Sequence, residues 1–386
     1  MRLLIVTGIF PPDIGGPATY VPVIATELWG RGHEVRVICL SDDASSQTQD
    51  YPFAVERILR RLPRGIRSVL TVLRILRRAL DADVLFVNGL YLEAVCANVL
   101  LRKPLAMKIV GDWAWERAIM RDSSTVDFDA FANGGSDGKA RFLSRLRTLC
   151  TRRADAVIVP SDYLARTIAH WGVSADRIRT IYNSSEPRSS LAPEAVPLQT
   201  PIKAVTVGRL VPWKHVDRTL RVIARIPEVG LVIVGDGPER ERLETLAASL
   251  EVTSRVRFCG KKSQLEASAL VSACDLLILN STYEGFPHVA LEAMSLSVPV
   301  IASAAGGTRE LVQHGENGLL VRPLDDEALF EAVTLLASSP AARLRLASNA
   351  ARTVERFGLR RMVAETEALL ARVASRETPV GLAVRA

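Results

Sequence analysis

Cysteine is scarce in this chain of 386 residues. The five cysteines lie far apart and form no Cys-x-x-Cys pair: Cys39, Cys96, Cys150, Cys259 and Cys274. Isolated cysteines of this kind argue against a disulfide framework and against a zinc site. A reducing compartment fits them best.

Long uncharged apolar runs are also missing. The most apolar stretch, residues 84–101, contains Asn88, Glu93 and Asn98. We therefore interpret it as a buried strand followed by a packed helix rather than as a membrane span. Residues 1–7 run into a Gly/Pro segment, which is typical of a strand and its turn rather than of a secretory signal.

Short apolar, β-branched runs alternate with longer helical patterns along the whole chain. This alternation predicts the α/β class, with βα units stacked in parallel sheets. The predicted strands are residues 3–7, 34–40, 84–88, 105–110, 156–159 and 178–182 in the first half, and 203–207, 231–234, 256–259, 276–279, 298–302 and 318–321 in the second.

A Ser/Pro-rich segment without apolar periodicity separates the two series. We expect a first Rossmann-like domain over residues 1–185, a linker over 186–201 and a second Rossmann-like domain over 202–360. Residues 361–386 are expected to form a helix that returns to the first domain and then a frayed tail. The irregular segment 122–138 is either a mobile loop over a site or a plain surface insertion.

Glycine turns and charged residues follow several predicted strands. In an open parallel sheet, ligands bind beyond the carboxyl ends of the strands. Gly15 and Gly16 follow the first strand of the chain, and two cations, Arg209 and Lys214, follow the first strand of the second half. Such cations would neutralise a diphosphate. Gly235 and Gly237 make the next turn, and each glycine taken alone is more simply architectural.

Two carboxylates, Glu284 and Glu292, are eight residues apart where a strand joins a helix that should begin near Pro287. Glu284 then lies in the loop and Glu292 more than a turn inside the helix, so the two would reach different parts of one extended ligand. Carboxylates suit sugar or ribose hydroxyls, and helix N-terminal amides suit phosphate.

These motifs together resemble the retaining glycosyltransferases of the GT-B fold, in particular family 4. Glu284 and Glu292 look like the paired glutamates of that family, and the order of the glycine and cation motifs over residues 201–325 agrees. The resemblance implies two Rossmann-like domains facing across a cleft. It also implies transfer of a hexose or N-acetylhexosamine from a UDP- or GDP-sugar, with an α-linkage formed in cell-surface polysaccharide or glycolipid synthesis.

The resemblance also implies roles for single residues. Arg209 and Lys214 would hold the donor diphosphate, Glu284 the transferred sugar and Glu292 the ribose. The other donor-binding positions are Gly15, Gly16, Gly208, Gly235, Gly237, Gly285, Phe286 and Pro287.

No metal or other cofactor is expected, because fixed cations and oriented amides can stabilise the leaving diphosphate. Of the two Asp-x-Asp motifs, residues 81–83 look like a helix-end turn and residues 127–129 lie in the irregular segment. Asp112 stands where many relatives have a histidine. It is either a catalytic residue, orienting a sugar hydroxyl or assisting the acceptor, or a helix cap.

A basic stretch with apolar residues at helical spacing lies in the first half, where 26 basic residues of 1–190 oppose 20 acidic ones. As an amphipathic helix it would rest on an anionic membrane beside a glycan or lipid-linked acceptor. The predicted membrane or acceptor surface comprises Arg60, Arg61, Arg64, Arg67, Arg74, Arg77 and Arg78.

Other interpretations stay open at this point. The basic stretch alone also fits an ordinary surface helix packed on the sheet, or a nucleic-acid-binding face, although no aromatic stacking platform accompanies it. The acceptor is open too, and a small molecule is one alternative. We expect a cytoplasmic enzyme, peripheral on the inner face of the plasma membrane, that binds no nucleic acid.

Overall fold

The computed structural model describes residues 1–13, 15–42, 51–121, 127–132, 138–185, 196 and 198–376. Most of the predicted linker and most of the segment 122–138 lie outside these residues, as does the predicted C-terminal tail. The chain divides into two compact units. The first unit comprises Met1–Trp115, Ala132–Tyr182 and Arg360–Ala386, and the second comprises Glu116–Phe131 and Asn183–Leu359.

The first half of the chain alternates strands with helices. Its strands are β1 (Arg2–Thr7), β2 (Glu34–Ser41), β3 (Ala54–Leu59), β4 (Val84–Asn88), β5 (Leu105–Lys108), β6 (Ala156–Val159) and β7 (Ile178–Thr180). Its helices are α1 (Gly16–Gly30), α2 (Arg64–Ala79), α3 (Tyr91–Leu101), α4 (Trp113–Arg121), α5 (Phe128–Ala132), α6 (Gly138–Arg152) and α7 (Asp162–His170).

The second half repeats the pattern. Its strands are β8 (Ile202–Val207), β9 (Val229–Val234), β10 (Val256–Gly260), β11 (Leu276–Leu279), β12 (Val300–Ser303) and β13 (Leu319–Val321). Its helices are α8 (Val216–Ala224), α9 (Arg240–Ser249), α10 (Gln264–Ser272), α11 (His288–Ser295), α12 (Thr308–Leu311), α13 (Asp326–Ser338), α14 (Pro340–Val354) and α15 (Leu359–Ser375).

Each unit is built on one parallel sheet. The described strands run β3-β2-β1-β4-β5-β6-β7 in the first unit and β10-β9-β8-β11-β12-β13 in the second. In both sheets the order reverses beside the first strand of the series, which is the doubly wound arrangement. The predicted α/β class with two Rossmann-like domains is therefore confirmed.

Central strands are buried along their whole length because helices cover both faces of each sheet. All five residues of β4 and all six of β9 are buried. Each buried Leu, Ile or Val side chain contributes roughly 1.5–3 kcal/mol through loss of apolar surface. These rigid cores hold the strand ends, from which the candidate site residues project.

One strand, β3, escaped prediction. Its sequence, Ala54–Leu59, places two adjacent charged residues between two apolar pairs, and only Ile58 is buried in it. It pairs on one side only, with β2, and lies at the edge of the sheet. An edge strand needs no continuous apolar run, so the signal that marked the other strands was absent.

The last described helix, α15, is fastened to the first unit by a carboxylate. Glu367 accepts from His33 Nε2 at 2.6 Å and from Arg31 Nη1 at 2.7 Å. Both hydrogen bonds lower the pKa of Glu367, and the one from His33 has the larger effect. Among the described helices, α15 included, none is both long and apolar enough to cross a membrane.

Candidate active site

The loops that follow β8, β9, β11 and β12 meet at the carboxyl edge of the second sheet, because these strands are parallel neighbours. The sequence-predicted residues carried by these loops and by the start of α11 are Gly208, Arg209, Lys214, Gly235, Gly237, Glu284, Gly285, Phe286, Pro287 and Glu292. The predicted donor residues of the second half therefore share one edge of one sheet.

The glycines of the first two loops allow the loops to interlock. A Cβ on Gly235, whose φ is +135°, would lie 1.9 Å from the carbonyl oxygen of Gly208. One on Gly237 would lie 2.2 Å from the carbonyl oxygen of Leu210. Leu210 in turn donates its N–H to the Asp236 carbonyl at 3.0 Å. Both glycines are thus required for close backbone approach, whatever they contribute to a ligand.

Lys214 and Glu284 form an ion pair between two of these loops. Lys214 Nζ lies 2.5 Å from Glu284 Oε1, and the two side chains are 20% and 11% exposed. Lys214 ends a single 3₁₀ turn, residues Pro212–Lys214, and Glu284 also accepts the N–H of Gly307 on its carbonyl at 2.9 Å. The ion pair joins the loops after β8 and β11, and the hydrogen bond from Gly307 adds the loop after β12 to the same polar surface.

Arg209 is the second predicted cation of the site. It is exposed and makes no hydrogen bond or ion pair with any residue that the structure describes. An unneutralised guanidinium in the same loop as Lys214 is suited to bidentate contact with a phosphate group.

Helix α11 begins behind a buried loop. Residues 283–287 are buried, and Phe286 packs against Phe357 with ring centroids 5.6 Å apart. Pro287 precedes the first helical residue, His288, in agreement with the predicted start. Farther along the helix, Glu292 accepts from Gln264 Nε2 at 2.7 Å through Oε1. The Glu292 carboxylate is therefore oriented by a neighbouring helix, α10.

A group of buried polar side chains at this edge was missed by the sequence analysis. Ser303 donates to Asn280 Oδ1 at 3.0 Å. Asn280 Nδ2, Ser281 Oγ and Thr308 Oγ1 are buried without a hydrogen-bond partner in the described part of the chain. Buried polar atoms are normally satisfied, so these point to water or ligand atoms in the same space. The signal was available, because Asn280 and Ser281 directly follow the apolar strand β11.

The glycine loop of the first unit lies where it was predicted, between β1 and α1. Helix α1 begins at Gly16, and Gly15 has φ +149°. A Cβ on Gly15 would lie 2.9 Å from Ile9 Cδ1, whereas a Cβ on Gly16 would meet open space. The open side of Gly16 suits close approach of a ligand, and its role in donor binding stays a prediction.

Asp112 is fully engaged inside the first unit. It is 0% exposed, accepts from the backbone N–H of Ala114 at 2.9 Å and of Trp115 at 3.3 Å, and pairs with the buried guanidinium of Arg147. Arg147 also lies over the ring of Trp171 at 3.7 Å. This geometry is that of a helix cap with a buried counter-ion. A catalytic role of Asp112 stays a prediction.

The predicted basic surface is divided by the structure into paired and unpaired arginines. Arg60 binds Asp13 at 2.5 Å and Asp42 at 3.0 Å, and Arg74 and Arg78 face Glu56. Arg67 donates to the Arg60 carbonyl. The members without an ion pair to any described residue are Arg61, Arg64, Arg67 and Arg77. Of these, Arg61, Arg64 and Arg77 are exposed and make no side-chain hydrogen bond to a described residue.

A buried lysine at the carboxyl edge of the first sheet was also missed. Lys108 ends β5 and is 1% exposed. Its Nζ lies 4.0 Å from the ring centre of Tyr20 and makes no hydrogen bond to a described residue. Burial lowers the pKa of Lys108 to about 7. Both polar side-chain atoms of the neighbouring Asn88, Nδ2 and Oδ1, are buried without a hydrogen-bond partner in the described residues. A single lysine inside an apolar run gave no recognisable pattern.

The Asp-x-Asp motifs have structural partners. Asp83 pairs with Arg2 at 2.7 Å, and Asp127 accepts the N–H of Ala130 at the start of α5. Among the described residues, no group of three or more His, Cys, Asp or Glu is arranged to hold a metal ion.

Two family models match the chain in succession. One is described as Glycosyltransferase Family 4 and matches residues 14–184, and the other is described as Glycosyl transferases group 1 and matches residues 191–353. The lipopolysaccharide core biosynthesis glycosyltransferase LpsE of Rhizobium meliloti is 30% identical over 206 residues, which are 53% of this chain and 60% of LpsE. The chain thus matches about three fifths of the length of that relative.

Solved structures share the fold. Sucrose-phosphate synthase from Thermosynechococcus elongatus superposes with a TM-score of 0.82 at 22% identity, covering 97% of this chain and all of that one. Anabaena HepE in complex with UDP-glucose superposes with a TM-score of 0.79 at 24% identity, covering 96% of this chain and all of that one. At such identities the likeness shows the fold alone.

Proposed function

We propose a sugar-transfer reaction for this chain, which belongs to the group 1, family 4 glycosyltransferases. It moves a hexose or N-acetylhexosamine from a nucleotide sugar to a glycan or lipid-linked acceptor. The observation that carries this proposal is the ion pair between Lys214 and Glu284, set among strand-end loops that also carry the unneutralised Arg209.

The donor is a UDP- or GDP-sugar in this proposal. Arg209 and Lys214 neutralise its diphosphate, and Glu284 accepts hydrogen bonds from hydroxyls of the transferred sugar. Glu292, held by Gln264 through one oxygen, receives the ribose hydroxyls. The UDP-glucose bound by HepE supports UDP, rather than GDP, as the nucleotide of the donor.

Transfer proceeds with retention and forms an α-linkage. The bond between the anomeric carbon and the β-phosphate oxygen breaks, and negative charge grows on the leaving diphosphate. Arg209 and Lys214 stabilise that charge. The acceptor oxygen attacks from the face that the leaving group vacates, and its proton passes to a diphosphate oxygen. Glu284 is held by Lys214 and orients the sugar, so no enzymic nucleophile is required.

The reaction needs no metal in this proposal, because the diphosphate charge is met by side-chain cations. Asp83 and Asp127 support this view, since one is ion-paired with Arg2 and the other caps α5.

The acceptor is presented at an anionic membrane surface, on the cytoplasmic side. Helix α2 supports this part of the proposal. It exposes the apolar side chains Ile66, Val69 and Leu73, each more than half exposed, together with the unpaired Arg64 and Arg77. An exposed apolar row with cations beside it is suited to the headgroup boundary of a bilayer. LpsE, a lipopolysaccharide core enzyme by its name, supports a glycolipid acceptor.

A panel of UDP-, GDP- and dTDP-sugars tests the donor by thermal shift, because a ligand that binds the folded state raises the melting temperature. We expect one nucleotide class to give a shift that is lost in Arg209→Ala/Lys214→Ala. A transfer assay with that donor, with and without EDTA, and proton NMR of the product then report metal dependence and anomeric configuration. No shift with any nucleotide sugar, or an inverted product, would contradict the proposal.

A further inference from the structure

A basic cavity of about 750 Å³ opens on the first unit. Its volume is within the range of small-molecule sites, roughly 300–1,000 Å³. Six of its lining side chains are basic, and they come from four separate segments of the chain: Arg102, Lys103, Arg153, Arg177, Arg372 and Arg376.

The cavity lies at the amino edge of the first sheet. Leu105 and Ala156, the first residues of β5 and β6, line it. Ligands of parallel α/β sheets bind at the other edge, beyond the carboxyl ends of the strands, where the Gly15-Gly16 loop lies. This cavity is therefore separate from the predicted donor loop of the first unit, and none of the arginines of the predicted acceptor surface lines it.

None of the six cations that line the cavity forms an ion pair with a carboxylate of the described residues. Lys103 Nζ donates to the carbonyls of Leu80 and Ala82, at 2.7 and 2.9 Å, and Arg376 donates to the carbonyl of Arg102 at 2.7 Å. Carbonyl oxygens orient these cations and leave their charge in place. Arg153, Arg177 and Arg372 form no ion pair with any residue that the structure describes.

Two carboxylates line the cavity, and both have other tasks. Asp155 accepts the backbone N–H of Leu105 at 2.8 Å and thereby fixes the start of β5. Asp176 is held by the hydroxyl of Ser174, and this hydrogen bond lowers its pKa. Six cations against two carboxylates leave an excess of four positive charges.

Helix C-termini explain only part of this excess. Three helices, α3, α6 and α15, end beside the cavity, and each C-terminus carries about half a negative charge. Together they supply roughly one and a half charges, well below four. Repulsion among the cations is visible nearby, because burial and then the charge of Arg372 lower the pKa of Arg179.

We propose that this cavity binds a ligand that carries two or more phosphate groups. Several guanidinium groups around one concave surface match the oxygens of such a ligand, and arginine contacts phosphate in bidentate fashion. The site is additional to the donor site and does not depend on the proposed function. Its ligand is either a soluble phosphate compound or the headgroup of an anionic lipid, which share this chemistry.

Calorimetric titration with inorganic pyrophosphate tests the soluble source. Arg153→Gln/Arg372→Gln removes two cations that hold no protein partner, so the fold should persist, as circular dichroism would verify. We expect the Kd to rise at least roughly tenfold, which is 1.4 kcal/mol. The variant Arg209→Ala/Lys214→Ala should still bind pyrophosphate in the cavity, and this result separates the cavity from the donor site.

The control variant Lys139→Gln/Arg166→Gln removes two exposed cations of the same unit that do not line the cavity. It should bind pyrophosphate as the wild type does. Co-sedimentation with vesicles containing cardiolipin, whose headgroup carries two phosphate groups, tests the lipid source with the same variants. A defect of the cavity variant in pyrophosphate binding identifies a soluble ligand, and a defect with vesicles alone identifies a headgroup. Equal behaviour of the cavity and control variants in both assays would overturn the proposal.

Discussion

Lys214 and Glu284 are 70 residues apart in the chain and meet at 2.5 Å between two loops of the second unit. Lys214 lies in the loop after β8 and Glu284 in the loop after β11. Their contact therefore depends on the sheet, which brings the two loops together, and not on local sequence. Both side chains are mostly shielded from water, which strengthens their attraction and makes loss of either partner more costly than at an open surface.

Replacement of this pair should impair transfer more than stability. We expect Glu284→Gln or Lys214→Ala to lower kcat/KM by about 10²–10³, the usual effect of removing one group that stabilises transition-state charge. The double variant should lose less than the product of the two effects, because the residues contact each other.

Glu327→Gln is the matched control for this prediction. Glu327 pairs with Arg225 at 2.6 Å on an exposed part of the same unit. An exposed pair contributes little, so transfer should be unchanged. Equal activity of Glu284→Gln and Glu327→Gln would contradict the donor-site assignment.

Gly235→Ala should destabilise the second unit by at least about 3 kcal/mol, since the new methyl group would collide with the Gly208 carbonyl and the backbone would be strained as well. Gly315→Ala separates the two effects. Gly315 also has positive φ, +76°, but a Cβ there meets open space. It should cost about 1–3 kcal/mol through strain alone. Urea unfolding measures both variants, and equal losses would show that loop interlocking is unimportant.

The strand pattern of the chain was predictable, because parallel strands buried on both faces leave continuous apolar runs such as β4 and β9. The edge strand β3 has no such run and was missed. Arg209, Lys214 and Glu284 could be placed at strand ends from their motifs. Their mutual geometry could not be predicted, because only the packed fold brings such distant side chains together. The same holds for the contact between Arg147 and Asp112, which are 35 residues apart in the chain.

Arg147→Met should cost about 3–5 kcal/mol, because it leaves the buried carboxylate of Asp112 without a counter-ion. Asp112→Asn/Arg147→Met should recover most of that loss, since the asparagine oxygen can still accept from Ala114 and Trp115. Thermal and urea unfolding measure the recovery. Transfer by the stable double variant then tests the predicted catalytic role of Asp112. A selective loss of kcat would support that role, and near-normal kcat would contradict it.

Lys108 should make stability depend on pH. Its pKa is lowered by burial to about 7 in the folded protein, from about 10.5 when unfolded. Between these values the unfolded state binds more protons, so stability rises with pH, by up to about 1.4 kcal/mol per unit. As pH falls from the unfolded toward the folded pKa, this stability is lost. Urea unfolding between pH 7 and 10 should show a slope that is absent in Lys108→Met, and identical slopes would contradict the prediction.

Membrane binding should depend on the exposed, unpaired arginines of the basic stretch and not on total charge. Arg61→Gln/Arg64→Gln/Arg77→Gln removes three cations near the exposed apolar row of α2, each worth on the order of 1 kcal/mol at an anionic surface. Flotation with vesicles rich in phosphatidylglycerol should therefore recover far less of this variant than of the wild type. Arg257→Gln/Lys261→Gln/Arg322→Gln removes the same charge from exposed positions of the second unit and should float normally. Equal recovery of the two triple variants, or wild-type flotation with neutral vesicles, would contradict a specific membrane surface on α2, because a local surface must distinguish where the charge is lost.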